Sequence, residues 1–203
     1  MDQFTDIQND LLTEAFNLGM GLAASSLSQM VGEEIKLSVP ELLYIAKTEA
    51  TAHLAEKNMS SVSGVKQSFN GPFSGDALLL FPVDKSLALV KLLLKDSVPD
   101  DDMTDLQEEA LCEVGNIILN AGIASIANMF SQSIDSSLPN FVQGSSNDVM
   151  HISDEDSHVF FMQVDFSISA EDIDGYVIYL LNTQSVRELE KIINNHLDKL
   201  GIA

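Results

Sequence analysis

Tryptophan is absent from this chain, cysteine occurs once, and only ten of the 203 residues are lysine or arginine. A single thiol, Cys112, rules out a disulfide framework. Ten scattered bases against 31 acidic residues leave a formal net charge of −21. Nucleic acids and anionic membranes are bound by basic stripes, and none is present. Long apolar runs are missing too: the richest stretch, ALLLFPVDKSLALVKLLLK, is interrupted by Pro, Asp and Lys. It falls short of the roughly 20 apolar residues that cross a bilayer. The opening MDQFTDIQND has neither a basic region nor an apolar core, so no secretory signal is expected there. A cytoplasmic protein with no nucleic-acid or membrane partner is the expectation. An acidic surface of this kind favours a partner with a basic face.

What the chain does contain is a repetition. DLLTEAFNLGMGLAASSLSQMVGEEIKLSVP runs from Asp10 to Pro40, and EALCEVGNIILNAGIASIANMFSQSIDSSLP runs from Glu109 to Pro139. Glu14, Asn17 and Pro40 recur as Glu113, Asn116 and Pro139, each 99 positions later. Five more identities fall at that offset: Leu12 with Leu111, Ser26 with Ser125, Met30 with Met129, Ile35 with Ile134, and Ser38 with Ser137. At ordinary residue frequencies a given triplet matches at one offset about once in 10⁴ trials. A fused duplication is the simplest explanation, with repeat one spanning about 1–98 and repeat two about 99–203.

Each repeat has the same order of local signals. In the first, Leu12, Phe16, Gly19, Ala23, Leu27 and Met30 line one face of a helix over 5–31. Thr5 or Asp6 caps its start and Gly32 its end. Ile35, Leu37 and Val39 alternate as in a strand that Pro40 closes. A weaker helical stretch, Ala46 to Asn58, comes before strands at Val62–Phe69 and Ala77–Phe81. Asn70-Gly71-Pro72 turns between those strands, and Asp84 caps a helix from Lys85 to Lys95. The second repeat reads as a helix over Thr104–Ser131, a strand ending at Pro139 and a loop around Gln143–Asp148. Strands near His158–Ile168 and Tyr176–Leu181 and a helix over Ser185–Leu200 follow. The acidic run Asp100–Asp102 suits a helix start. Each α-β-β-β-α unit is too small to cover both faces of a sheet. The expected fold is therefore mixed α/β (α+β), one layered domain over 1–203 with a pseudo-twofold axis between the units.

Polar residues form a stripe on each long helix. Asp10, Glu14 and Asn17 are spaced four and three apart, as are Glu109, Glu113 and Asn116, so each trio lies on one helix face. Either stripe alone reads as an ordinary solvated face. Their recurrence, and the small residues Gly21, Ala24 and Ser28 that continue the first stripe, favour a docking surface. Other chemistry-bearing residues stand without such support. Gly19-x-Gly21 lies within a helical pattern and fits helix packing rather than a nucleotide loop. His151, Asp154, Asp156 and His158 lack a standard ligand spacing and read as a solvated loop rather than a metal site. Cys112 reads as a buried thiol, and His53 and His196 as surface residues.

The spaced set Asp10-Glu14-Asn17-Pro40, with its second copy Glu109-Glu113-Asn116-Pro139, resembles the signature of the CheC/CheX/FliY chemotaxis phosphatases, most similarly the CheC branch. Glu109 departs from the Asp or Ser usual at its position. The resemblance implies an enzyme, a hydrolase of the aspartyl phosphate on a CheY-like response-regulator receiver in chemotaxis or other two-component signalling. An acyl phosphate is already activated, and its loose transition state mainly requires a positioned water. Asn17 and Asn116 would hold that water, and Glu14 and Glu113 would pair with the receiver's active-site lysine. Asp10, Pro40, Glu109 and Pro139 would be accessory. Mg²⁺ would be held by the receiver, with no cofactor or metal in this chain. The alternative is a non-catalytic adaptor for a phosphorylated receiver or for a CheD-like deamidase.

Overall fold

The computed structural model describes residues 4–39, 42–57, 59–94, 105–150, 158–168 and 171–202. The first helix, α1 (Asp6–Val31), starts where Thr5 and Gln8 cap one another. The Gln8 side chain accepts from Thr5 N at 2.7 Å, and Thr5 Oγ1 accepts from Gln8 N at 3.4 Å. This reciprocal arrangement satisfies two amides that a helix start leaves orphaned. The helix stops at Gly32, whose φ of +76° is open to glycine at no steric cost. Its buried face is the expected one as far as Leu27; beyond that the 3.6-residue drift turns Val31 inward and leaves Met30 46% exposed.

Two short strands follow, β1 (Ile35–Ser38) and β2 (Leu42–Ala46), then helix α2 (Lys47–Glu56). A long hairpin, β3 (Ser61–Asn70) and β4 (Gly75–Pro82), leads into α3 (Val83–Leu94). The same order recurs as α4 (Asp105–Met129), β5 (Asp135–Ser136), β6 (Asn140–Ser145), α5 (Ser146–Val149), β7 (His158–Ile168), β8 (Glu171–Leu181) and α6 (Thr183–Leu200). The mixed α/β class agrees with the sequence. The count of strands does not: each half carries four rather than three, because β2 and β6 were not expected. Asp84 lies inside the first turn of α3 rather than before it.

All eight strands make one antiparallel sheet in the order β1-β7-β8-β4-β3-β5, with β2 also on β7 and β6 also on β3. The halves exchange strands: β1 and β2 of the first pair with β7 of the second, and β5 and β6 of the second pair with β3 of the first. At the centre β4 and β8 run side by side, with Leu78 opposite Ile178. These two strands are buried on both faces, which is why ALLLF and VIYLL are continuous apolar runs rather than alternating ones. Ala77, Leu79, Phe81, Val177, Tyr179 and Leu181 face the long helices. Leu78, Leu80, Ile178 and Leu180 face the opposite side, where α2 contributes Ala50 and Leu54.

Helix α4 is long and apolar enough to cross a membrane by length and composition, and just over half of that window (56%) is buried within the protein. It lies against α1 and the sheet at positions without side chains. A Cβ at Gly19 would sit 2.8 Å from the Ala121 carbonyl oxygen where the helices meet, and one at Gly115 would sit 2.6 Å from Val65 Cβ on β3. Gly115→Ala should therefore force α4 off the sheet and cost about 1–3 kcal/mol, measured as a lower midpoint in urea. Gly21→Ala should act in the opposite direction. A Cβ there meets nothing within 4 Å, and alanine in a helix gains about 0.5–1 kcal/mol over glycine.

Candidate functional site

Helix α1 presents the first stripe. Asp10, Glu14 and Asn17 are all exposed, and Glu14 and Asn17 have no side-chain hydrogen bond or ion pair among the described residues. The side chains are held apart from the core only by the helix itself, whose opposite face buries Leu12, Ala15, Phe16 and Gly19. Next to Asn17 the surface is apolar, with Leu18 53% and Leu22 61% exposed around the bare Gly21. The sequence reading missed both leucines and placed Ala24 and Ser28 in the docking stripe instead. Those two are half-buried. Ser28 Oγ donates to the Ala24 carbonyl at 2.7 Å and accepts from Ile35 N at 2.8 Å, which clips β1 to the helix. Pro40 lies outside the described residues.

Helix α4 presents the second stripe. Glu109 and Glu113 are exposed, Asn116 is half-buried, and neither glutamate has an ion pair among the described residues. This site has a feature that the first lacks. Asn116 Oδ1 accepts from Asn120 Nδ2 at 2.7 Å. Gln67 Nε2, on β3 beneath the helix, lies 3.2 Å from Asn120 Oδ1, 3.5 Å from Asn116 Oδ1 and 2.7 Å from the Ser137 carbonyl oxygen. The segment leading to Pro139, which is itself half-buried, is thereby tied to the motif asparagine. Gln67 and Asn120 could not be found by comparing repeats. The residue matching Asn120 is Gly21, so the pattern is not doubled. The available signal was a glutamine between Val65 and Phe69 on the helix-facing side of a strand, where an apolar residue is normal.

The remaining candidates are scattered. Cys112 is half-buried; burial, then the charges of Glu108 and Glu109, push its thiol above the ordinary range. It is therefore protonated near neutrality, which fits an unreactive thiol. His53 and His196 are half-buried rather than on the surface, stacked on Phe161 at 5.8 Å and edge-on to Phe130 at 5.3 Å. Both use their apolar ring area for packing. His158 is exposed and stacks on Tyr44, while His151, Asp154, Asp156 and the acidic run 100–102 lie outside the described residues. Among the described residues no group of three or more His, Cys, Asp or Glu could hold a metal ion.

Each long helix thus offers an unpaired carboxylate and a carboxamide three residues apart, on a face open to a partner. Such a pair can receive a cation and hold a water, but has no strong base or nucleophile of its own. A family model described as chemotaxis phosphatase CheX matches residues 63–163, a stretch that contains the second motif. CheC1 of Halobacterium salinarum is 27% identical over 177 residues, covering 85% of this chain and 88% of that protein. Among solved structures, Thermotoga maritima FliY superposes with a TM-score of 0.77 at 15% identity, over 96% of this chain and 99% of that one. The CheX–CheY–BeF3–Mg²⁺ complex of Borrelia burgdorferi gives 0.52 at 20% identity, over 83% and 97%. By sequence the chain is similar to the CheC and CheX chemotaxis phosphatases, and it shares the fold of FliY and CheX.

Proposed function

We propose that this chain hydrolyses the aspartyl phosphate of a CheY-like receiver domain, as one two-site unit with its repeats meeting near residue 98. The observation that carries the reading is the Glu–Asn pair at the surface of each of two long helices: Glu14 with Asn17, both exposed, and exposed Glu113 with half-buried Asn116. Sequence similarity to the CheC and CheX phosphatases supports it, as does the likeness to a CheX solved with CheY, beryllofluoride and Mg²⁺. In this reading the glutamate pairs with the receiver's active-site lysine, which fixes register and withdraws one cationic contact from the phosphoryl group. The asparagine holds a water in line with phosphorus, so the gain comes from positioning rather than proton abstraction. The metal belongs to the receiver. Exposed Leu18 and Leu22 beside Asn17 supply apolar area for the receiver to cover.

The test is inorganic phosphate release from a receiver charged with acetyl phosphate, with and without this protein. Catalytic amounts should accelerate release well above the receiver's own rate. Tight binding of the charged receiver without acceleration would leave the adaptor reading in its place.

A further inference from the structure

We propose that Gln67 and Asn120 form a relay that sets the orientation of the Asn116 carboxamide, so that the α4 site is ordered in advance and the α1 site is not. The inference rests on the phosphatase reading and deepens it by assigning two positioning residues to one site. The relay starts from a group that cannot be turned around. The Ser137 carbonyl oxygen can only accept, and Gln67 Nε2 lies 2.7 Å from it, so Gln67 must present its NH₂ end there. The same nitrogen lies 3.2 Å from Asn120 Oδ1, which turns the Asn120 nitrogen away toward α4's motif residue. That nitrogen then donates to Asn116 Oδ1 at 2.7 Å. Reversing any one of the three amides would set donor against donor or acceptor against acceptor. One backbone carbonyl therefore decides how Asn116 faces, with Oδ1 toward the relay and Nδ2 free of protein partners among the described residues.

The relay is maintained against a local cost. Gln67 is 1% exposed, and its Oε1 is buried without a hydrogen-bond partner among the described residues. A valine or leucine at this position, between Val65 and Phe69, would pack without an unsatisfied acceptor. The α1 site has no counterpart. Gly21 stands four residues after Asn17 where Asn120 stands after Asn116, and Asn17 makes no side-chain hydrogen bond among the described residues. An amide already held in one rotamer need not lose that freedom when the receiver docks.

The experiment isolates the α4 site with Asn17→Ala and adds Asn120→Ala or the isosteric Asn120→Asp, which removes the donor to Asn116. Either should lower kcat for phosphate release about tenfold with KM for the charged receiver unchanged, and Gln67→Met should do the same. In the reciprocal Asn116→Ala background, where the α1 site works alone, Asn120→Ala should have no such effect. Side-chain amide relaxation by NMR gives a readout independent of activity. Asn116 should be ordered and Asn17 mobile, and Asn120→Ala should bring Asn116 to the level of Asn17. Unchanged kcat in the first background, an equal loss in both, or an Asn116 amide as mobile as Asn17 in the unaltered protein would each overturn the relay. If the unaltered protein releases no phosphate at all, it is the phosphatase reading that fails, and the NMR comparison alone then decides the relay.

Discussion

Replacing Asn17 and Asn116 together by alanine should return a charged receiver to its own rate of dephosphorylation. The expected loss is about 10²-fold, the penalty attached to a reactant displaced by roughly an ångström. Asn17 is exposed and without a hydrogen bond among the described residues, so its change should cost within about 0.5 kcal/mol. Half-buried Asn116 accepts from Asn120, so its loss should cost about 0.5–1.5 kcal/mol. Binding to the same receiver trapped with beryllofluoride should stay within a factor of two or three, about 0.5 kcal/mol, because a neutral amide leaves and no charge is stranded. Either single substitution should keep partial activity, since the other helix still presents its pair. Phosphate release and calorimetric binding, measured side by side, separate the two effects. Full turnover by the double variant would show that the chemistry lies elsewhere on the protein.

The glutamates should behave in the opposite way. Glu14→Gln with Glu113→Gln removes two negative charges and leaves the shape of the surface intact. If each glutamate meets a receiver lysine, the loss of a charge-assisted hydrogen bond should weaken binding about tenfold or more. The double variant should also lose part of the salt dependence that the unaltered protein shows, since screening acts on the pairs that have gone while the rest of the acidic surface remains. The signature is a rise in KM that exceeds any fall in kcat. Equal affinity at low and high salt would detach these two residues from recognition.

How much of this was legible in the sequence depended on how local the cause was. The cap at Thr5 or Asp6, the Gly32 stop and the buried face of α1 are written within a few residues of where they act; Thr5 is the cap, Gly32 is the stop, and the face holds as far as Leu27. The central strands were also legible, because ALLLF and VIYLL are buried on both sides and leave no helical period. β2 and β6 were not. LLYIA and NFVQGS have little pattern of their own, and they become strands because β7 and β3, donated by the other half, offer edges to pair with. The motif residues were found through repetition, and their helix-surface placement follows from spacing. Gln67 and Asn120 escaped for the converse reason: they act on one site only, across a strand and a helix 53 positions apart in the chain. The leucines beside Asn17 escaped as well, since periodicity says which face of a helix is buried and not which apolar residues are left outside.

The exchange of strands between halves bears on how the chain is made. Synthesis delivers β1 and β2 long before β7, the strand that both pair with among the described residues. Until then, beyond the Ser28 clip on Ile35, their ladder amides and carbonyls lack the strand they pair with, and the apolar side of LLYIA is open to other chains. Pairings this distant in sequence are slow to close, because the intervening chain must be ordered before any of them forms. On a ribosome, the N-terminal third of this protein is a guest awaiting a seat that the C-terminal third brings.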